Sequence, residues 1–401
     1  MSKEQNLKRY LSGSATDFHN HQPNWNRSFE FMSDKPHAAV LLLHGMSDSP
    51  YSLRTLGQAL NKQGYWVVGL RLPGHGTTPS GLRYLDRQDM AAAVRLAMSH
   101  LSNSLLNRPV HIIGYSTGAS LALEYTLDAM KTKTHIIPGK LVLISPAIGV
   151  HSVAAMARFK NILSYVPGLA DLAYLNIQPE FDPYKYNSFA TNAGDIVYRL
   201  TQSVARRIRD KSRNNSTTVL PPILVLKSTV DATVSNDAVV EQLLKHLKPY
   251  RHELVLFDIN RFAGIKAKLL IDDPAPFTEK VMQDNTLPFS VTLVTNEHSE
   301  SNKVISKTKL PFSKQITKSR VLESFWPPGV ISLSHVALPF SLSDPLYGQR
   351  APENNDFLFL GQMAIQGEHG LLKIPLDWML RLRYNPFYDF LEKRTLQWLE
   401  D

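Results

Sequence analysis

The chain has no cysteine. That excludes disulfides, thiol nucleophiles and cysteine-based metal sites. It leaves the compartment open, because a periplasmic protein can also lack cysteine. No uninterrupted apolar run approaches the length of a membrane span. The start, Met1-Ser2-Lys3-Glu4-Gln5-Asn6, lacks an apolar signal core. A cytoplasmic protein is expected if Met1 is the native start, and a periplasmic or secreted one if a leader has been removed. No internal repeat is visible.

What is present is an ordinary globular composition on a basic chain. The 401 residues suffice for a large core, as one elaborated domain or two. The net charge of +9 can favour anionic membranes, nucleic acid or acidic substrates. Two stretches carry much of it: Arg206, Arg207, Arg209, Lys211 and Arg213, then Lys303, Lys307, Lys309, Lys314, Lys318 and Arg320. Neither interleaves the aromatics of a single-strand stacking platform, so no nucleic-acid partner is expected. The first reads as a solvated helix face and the second as a solvated basic loop. Peripheral contact with an anionic membrane is the alternative.

Strands and helices alternate from about Asp34. Apolar runs at 37–43, 65–72, 110–113, 141–144, 223–226 and 252–257 read as strands, with helical spacing at 51–61, 89–101 and 236–247. That alternation predicts a mostly parallel central sheet with helices on both faces. From Ala147 to Val219 it stops. This stretch is rich in tyrosine and phenylalanine and reads as an inserted helical cap rather than a sheet element. The predicted organisation is 1–146 and 220–401 as the two parts of an α/β core, with 147–219 as the cap. An insertion at about 259–329 contains a strand at 289–295 and then the polar basic loop. Val330 to Ser334 reads as one more strand, and 387–399 as a closing helix.

The chemistry concentrates at Gly114-Tyr115-Ser116-Thr117-Gly118. A β-branched strand runs into Gly-x-Ser-x-Gly, and an apolar-periodic helix follows at once. This is the strand–turn–helix context of a nucleophile elbow, which exposes a serine hydroxyl on a tight turn. The competing reading is a plain glycine-rich turn. A serine nucleophile needs a histidine base and a carboxylate to orient it. Doubly wound sheets carry such groups just after later strands. Asp231 follows the strand ending in Leu226-Lys227-Ser228-Thr229-Val230 and is the candidate acid; a surface aspartate is the alternative. Downstream histidines are His246, His252, His298, His335 and His369. His335 lies between an apolar run and Val336-Ala337-Leu338-Pro339-Phe340, where a dry base would sit. His298 lies in a very polar segment. His335 is therefore the preferred base. The oxyanion needs two backbone N–H groups, expected from Thr117 and from Met46 in the loop His44-Gly45-Met46-Ser47-Asp48-Ser49-Pro50. His44 reads as structural.

Together these residues resemble the α/β-hydrolase family, whose chain order is nucleophile, acid, histidine. The stretches Leu43-His44-Gly45-Met46-Ser47-Asp48-Ser49-Pro50 and Arg71-Leu72-Pro73-Gly74-His75-Gly76-Thr77-Thr78-Pro79 are similar to those of bacterial carboxylesterases and monoacylglycerol-lipase-type enzymes, grouped with serine aminopeptidases. The resemblance implies catalysis by Ser116, Asp231 and His335, oxyanion donation by Met46 and Thr117, and a cap over an acyl pocket. One departure stands out. In simple members the histidine soon follows the strand after the acid, whereas His335 lies far beyond the strand at 252–257.

The reading is a serine hydrolase of carboxylic esters, with a small-molecule or lipid-like substrate and no metal or organic cofactor. A peptidase or amidase is the second reading; it would need an acidic anchor, for which Glu180 and Asp182 are available. A non-catalytic binding protein on a hydrolase fold is the third.

Overall fold

A computed structural model describes residues 12–14, 17–105, 107–149, 170–213, 219–231, 236–263, 273–353, 359–361 and 382–401. Two compact units emerge. One is built from Met1–Leu141 and Pro146–Arg207, the other from Val142–Ser145, Ile208–Asn355 and Phe359–Asp401. His369 and residues 150–169 and 214–218 of the expected cap lie outside the described residues.

In the first unit β1 (Phe29–Phe31), β2 (Ala38–Leu43), β3 (Tyr65–Leu70) and β4 (Val110–Tyr115) are ordered β1-β3-β2-β4. β2 pairs in parallel with both β3 and β4, and β1 is antiparallel to β3. All six residues of β2 and of β4 are buried, which explains their continuous apolar runs. Helices connect the strands. α1 (Arg54–Lys62) buries Leu56, Gly57 and Leu60. α2 (Arg87–Ser104) is capped by Asp86, which accepts from the Gln88 N–H at 2.8 Å, and buries Met90, Val94, Ala97, Met98 and Leu101 along one face. α3 (Thr117–Thr132) is buried on nearly every side.

β5 (Leu141–Ile144) follows, with residues 142–144 in the second unit. The described part of 147–219 then holds an unexpected ribbon. β6 (Tyr174–Asn176) pairs antiparallel with β7 (Phe189–Ala190). Polar side chains tie the loop between them. Ser188 Oγ accepts from the Gln178 N–H and donates to the Gln178 carbonyl, each at 3.0 Å. Strands this short, closed by such bonds, carry no alternation to read. α4 (Thr191–Arg213) comes next. Arg206, Arg209 and Arg213 lie on its exposed side, while Arg207 pairs with Asp128 at 2.7 Å.

The second unit orders its strands β5-β8-β9-β10-β11-β12, where β8 is Ile223–Ser228, β9 Glu253–Phe257, β10 Ser290–Asn296, β11 Lys303–Lys309 and β12 Ile316–Phe325. β8, β9 and β10 run parallel, and β10, β11 and β12 form an antiparallel meander. α5 (Ala275–Gln283) precedes β10, and α6 (Tyr388–Glu400) closes the chain. Phe387, just before α6, stacks on Phe257 and meets Trp326 edge-on at 4.9 Å.

Three sequence expectations are corrected here. The basic stretch from Lys303 to Arg320 is a strand hairpin, not a loop. β12 is exposed on both faces from Ile316 to Val321, so it shows none of the one-sided apolar pattern that marks a half-buried strand. Val330 to Ser334 forms no strand. Its first two carbonyls are taken by Asn260: the side-chain amide donates to Val330 at 2.8 Å and the main-chain N–H to Ile331 at 2.6 Å. The expected helix at 236–247 is broken into an α-turn at Asn236–Ala238, a π-turn at Val239–Leu243 and a 3₁₀ turn at Leu244–His246.

Candidate active site

Ser116 stands between β4 and α3 with φ +54 and ψ −116. A side chain other than glycine rarely adopts positive φ, and such strain persists only where neighbours impose it. Here two glycines do. A Cβ on Gly114 would lie 2.5 Å from the backbone of Ala119, and one on Gly118 only 2.1 Å from the Leu43 carbonyl oxygen. The first turn of α3 is thereby drawn against the carboxyl end of β2. Its leading N–H groups, Thr117 first, have no partner within the helix and form a positive pole beside Ser116.

The loop after β2 is fixed by two buried histidines. The Leu72 N–H donates to His44 Nε2 at 3.1 Å, so Nδ1 carries the proton and donates to the Gly45 carbonyl at 2.8 Å. The Asp48 N–H reaches that same carbonyl at 3.1 Å. The Gly45–Met46 peptide is thus held with its oxygen occupied and the Met46 N–H directed the opposite way. A Cβ on Gly45 would lie 3.4 Å from Ser116 Cβ, which places this peptide next to the serine. His75 faces the Met46 carbonyl through Nε2 and the Pro73 carbonyl through Nδ1, each at 2.8 Å. Burial holds His44 well below the ordinary imidazole range, and the nearby His75 lowers it further. His44 is a neutral clamp rather than a proton carrier. The same loop is tied to later residues: the Tyr186 N–H donates to the Ser47 carbonyl at 2.7 Å, and Lys185 pairs with Asp48 at 2.9 Å.

In the second unit Asp231 follows β8, and His335 opens a 3₁₀ turn at His335–Ala337. The structure brings these two together, with His335 Nδ1 at 3.3 Å from Asp231 Oδ1. That contact assigns Nδ1 to the carboxylate and leaves Nε2 as the nitrogen able to take a proton. The Asp231 side chain is fully buried, and that of His335 is 16% exposed. Asn260 explains how His335 comes back. The residue lies just beyond β9, and its two bonds to 330–331 hold both ends of the long excursion together. The other histidines are placed differently. His298 is exposed and accepts from the Glu300 N–H at 3.3 Å. His252 accepts from the Ile223 N–H at 3.1 Å, at the start of β8 rather than its end.

Sequence reasoning missed Lys227. Its ammonium lies 2.7 Å from Asp231 Oδ2, and the residue is wholly buried. The available signal was a lone charge closing the apolar run of β8, four residues before the acid. Glu180 and Asp182, considered as anchors for a substrate amine, are buried and serve the backbone. Glu180 accepts from the N–H groups of Asn187 and Ser188, and Asp182 from those of Tyr184 and Lys185.

Residues 34–260 match the family described as serine aminopeptidase, S33. The chain belongs to that family. Its fold is the α/β-hydrolase fold, with parallel strands linked by helices in each unit. This S33 chain is 30% identical over 118 residues to a thermostable monoacylglycerol lipase from Bacillus sp. (strain H-257), a match spanning 29% of the chain and 46% of the lipase. The match thus covers less than half the length of that relative. A carboxylesterase of Bacillus subtilis (strain 168) is 24% identical over 202 residues, spanning 50% of the chain and 74% of the esterase. Among solved structures, the monoacylglycerol lipase of Paleococcus ferrophilus is 18% identical, with a TM-score of 0.44 over 58% of the chain and 88% of the lipase.

Proposed function

We propose that the chain hydrolyses carboxylic esters through an acyl-enzyme on Ser116. Ser116 Oγ attacks the ester carbonyl while His335 Nε2 takes its proton, and Asp231 steadies the imidazolium. The tetrahedral oxyanion is met by the N–H groups of Met46 and Thr117. Collapse expels the alcohol, which leaves with the proton from His335. Water then repeats the sequence and releases the acid. On this reading residues 147–219 act as a cap over an apolar acyl pocket, and 1–146 and 220–401 are the two parts of the α/β core.

The observation that carries the reading is the strained backbone of Ser116 between two glycines that admit no side chain. The Asp231–His335 contact supports it. Relatives named as a lipase and a carboxylesterase favour esters, and a lipid-like ester is the substrate class that fits both. The peptidase reading loses its anchor, because Glu180 and Asp182 are spent on backbone N–H groups.

A fluorophosphonate probe tests the proposal together with turnover of p-nitrophenyl esters of increasing chain length. The wild-type protein is expected to label at Ser116 and to turn over esters. Folded Ser116→Ala should do neither. Near-wild-type ester turnover by that variant would overturn the serine mechanism.

A further inference from the structure

β8 reads Ile223-Leu224-Val225-Leu226-Lys227-Ser228, and every residue in it is buried. A lysine ammonium in such surroundings is costly to desolvate, and an apolar residue of similar length would fill the space with less penalty. What distinguishes this lysine is its partner. Nζ lies 2.7 Å from Oδ2 of Asp231, while Oδ1 of the same carboxylate faces His335 Nδ1 at 3.3 Å. One oxygen thus faces the Lys227 ammonium and the other the His335 ring. The four-residue spacing is not helical, because β8 ends at Ser228 and Asp231 follows in the loop.

We propose that Lys227 is a positioning residue of the catalytic centre: clamped to Oδ2, it keeps the Asp231 carboxylate ionised with Oδ1 turned toward His335, and so sets how far into acid the base survives. The proposal rests on the reading of Ser116, Asp231 and His335 as the catalytic groups. Burial pushes the Asp231 carboxyl up, but the charge of Lys227 first and of His335 second pulls it back further, leaving it below the ordinary carboxylate range. Lys227 reaches Asp231 from β8, and His335 reaches it from the turn at 335–337. The segment joining Asp231 to the next helical turn is Ala232-Thr233-Val234-Ser235, with no ionisable side chain.

The charge balance has a kinetic consequence. The Lys227 ammonium offsets the negative charge of the carboxylate that faces His335. Without Lys227, less positive charge stands beside the Asp231–His335 pair, so its protonated form is favoured and activity should be lost at higher pH. Loss of a merely structural lysine would lower stability without moving the pH profile.

The experiment compares the pH dependence of kcat/KM for wild-type protein and Lys227→Met, with p-nitrophenyl esters. The expected result is an acid limb displaced upward by about one pH unit, with kcat down about tenfold or more and KM within about twofold. Lys227→Arg, which keeps the charge, should retain the wild-type limb, and Lys227→Gln should shift it. That pair decides the matter if Lys227→Met fails to fold. A folded Lys227→Met or Lys227→Gln with the wild-type limb, in protein that still labels with fluorophosphonate at Ser116, overturns this inference alone. Failure of the wild-type protein to label at Ser116 overturns instead the reading on which it rests.

Discussion

Asn260 holds Val330 in place: its side-chain amide donates to the Val330 carbonyl at 2.8 Å, and its own N–H donates to the next carbonyl, at Ile331. Three residues beyond Ile331 stands Ser334, followed by His335. Asn260→Ala removes the side-chain bond and the two that its Oδ1 accepts, from the Phe262 N–H at 3.1 Å and from Asn296 Nδ2 at 3.2 Å. Stability should fall by about 2–4 kcal/mol. If the 330–335 segment loosens as a result, kcat should drop with little change in KM. Denaturant melts and steady-state kinetics on the same preparation would check both. An unaltered kcat in the destabilised variant would show that His335 is held by other means.

The choice of base separates two histidines. His335→Ala should reduce ester turnover by several orders of magnitude, as loss of a triad member does. His298→Ala should leave it near wild type, since His298 is exposed and bonded locally to the Glu300 N–H. Parallel kinetics on the two variants decide this, and the reverse result would move the base.

His44 offers a test of the oxyanion loop that leaves Ser116 untouched. Replacing it by alanine removes the donor that pins the Gly45 carbonyl and frees the Gly45–Met46 peptide to turn. Loss of an oriented oxyanion donor costs about 10²–10³ in kcat. A drop in kcat of about tenfold to a hundredfold is expected, with KM nearly constant, because the carbonyl remains partly held by Asp48. A change confined to KM would argue against the pinned-peptide account.

Gly118→Ala should abolish folding or activity outright. The added Cβ would meet the Leu43 carbonyl oxygen at 2.1 Å, and neither backbone can move without displacing β2 or the start of α3. Soluble expression and circular dichroism would report the outcome, and a stable, active variant would contradict the close approach.

Buried histidines make the fold acid-sensitive, since burial lowers His44, His75, His111 and His252 alike. Burial pulls His111 and His252 down to about 4 each. In the unfolded chain both titrate near 6.5. The unfolded chain therefore takes up protons first as the pH falls. This stabilisation is full above about pH 6.5 and is lost progressively toward pH 4, up to about 3 kcal/mol for each ring. The melting temperature should decline steadily from pH 7 to pH 4.5. His111→Leu should flatten that decline, and an unchanged slope would remove His111 from the account.

The sequence by itself determined what depends on near neighbours. The turn at Ser116 needs Gly114 before it, Gly118 after it, a strand and a helix, and all of these lie within a few residues. The parallel strands were legible because burial on both faces forces continuous apolar runs. Tertiary structure alone decided whatever depends on a distant partner. Val330 to Ser334 has strand composition, but Asn260 takes its first carbonyls, so the pattern misleads. β12 has no one-sided apolar pattern, because both its faces meet water. Glu180 and Asp182 looked available until backbone N–H groups claimed them. Lys227 drew no reading from the sequence, and only folding encloses its ammonium against Asp231. For the buried groups the physical reason is shared. A side chain's chemistry is set by which groups share its desolvated space, and that space exists only once the chain has folded.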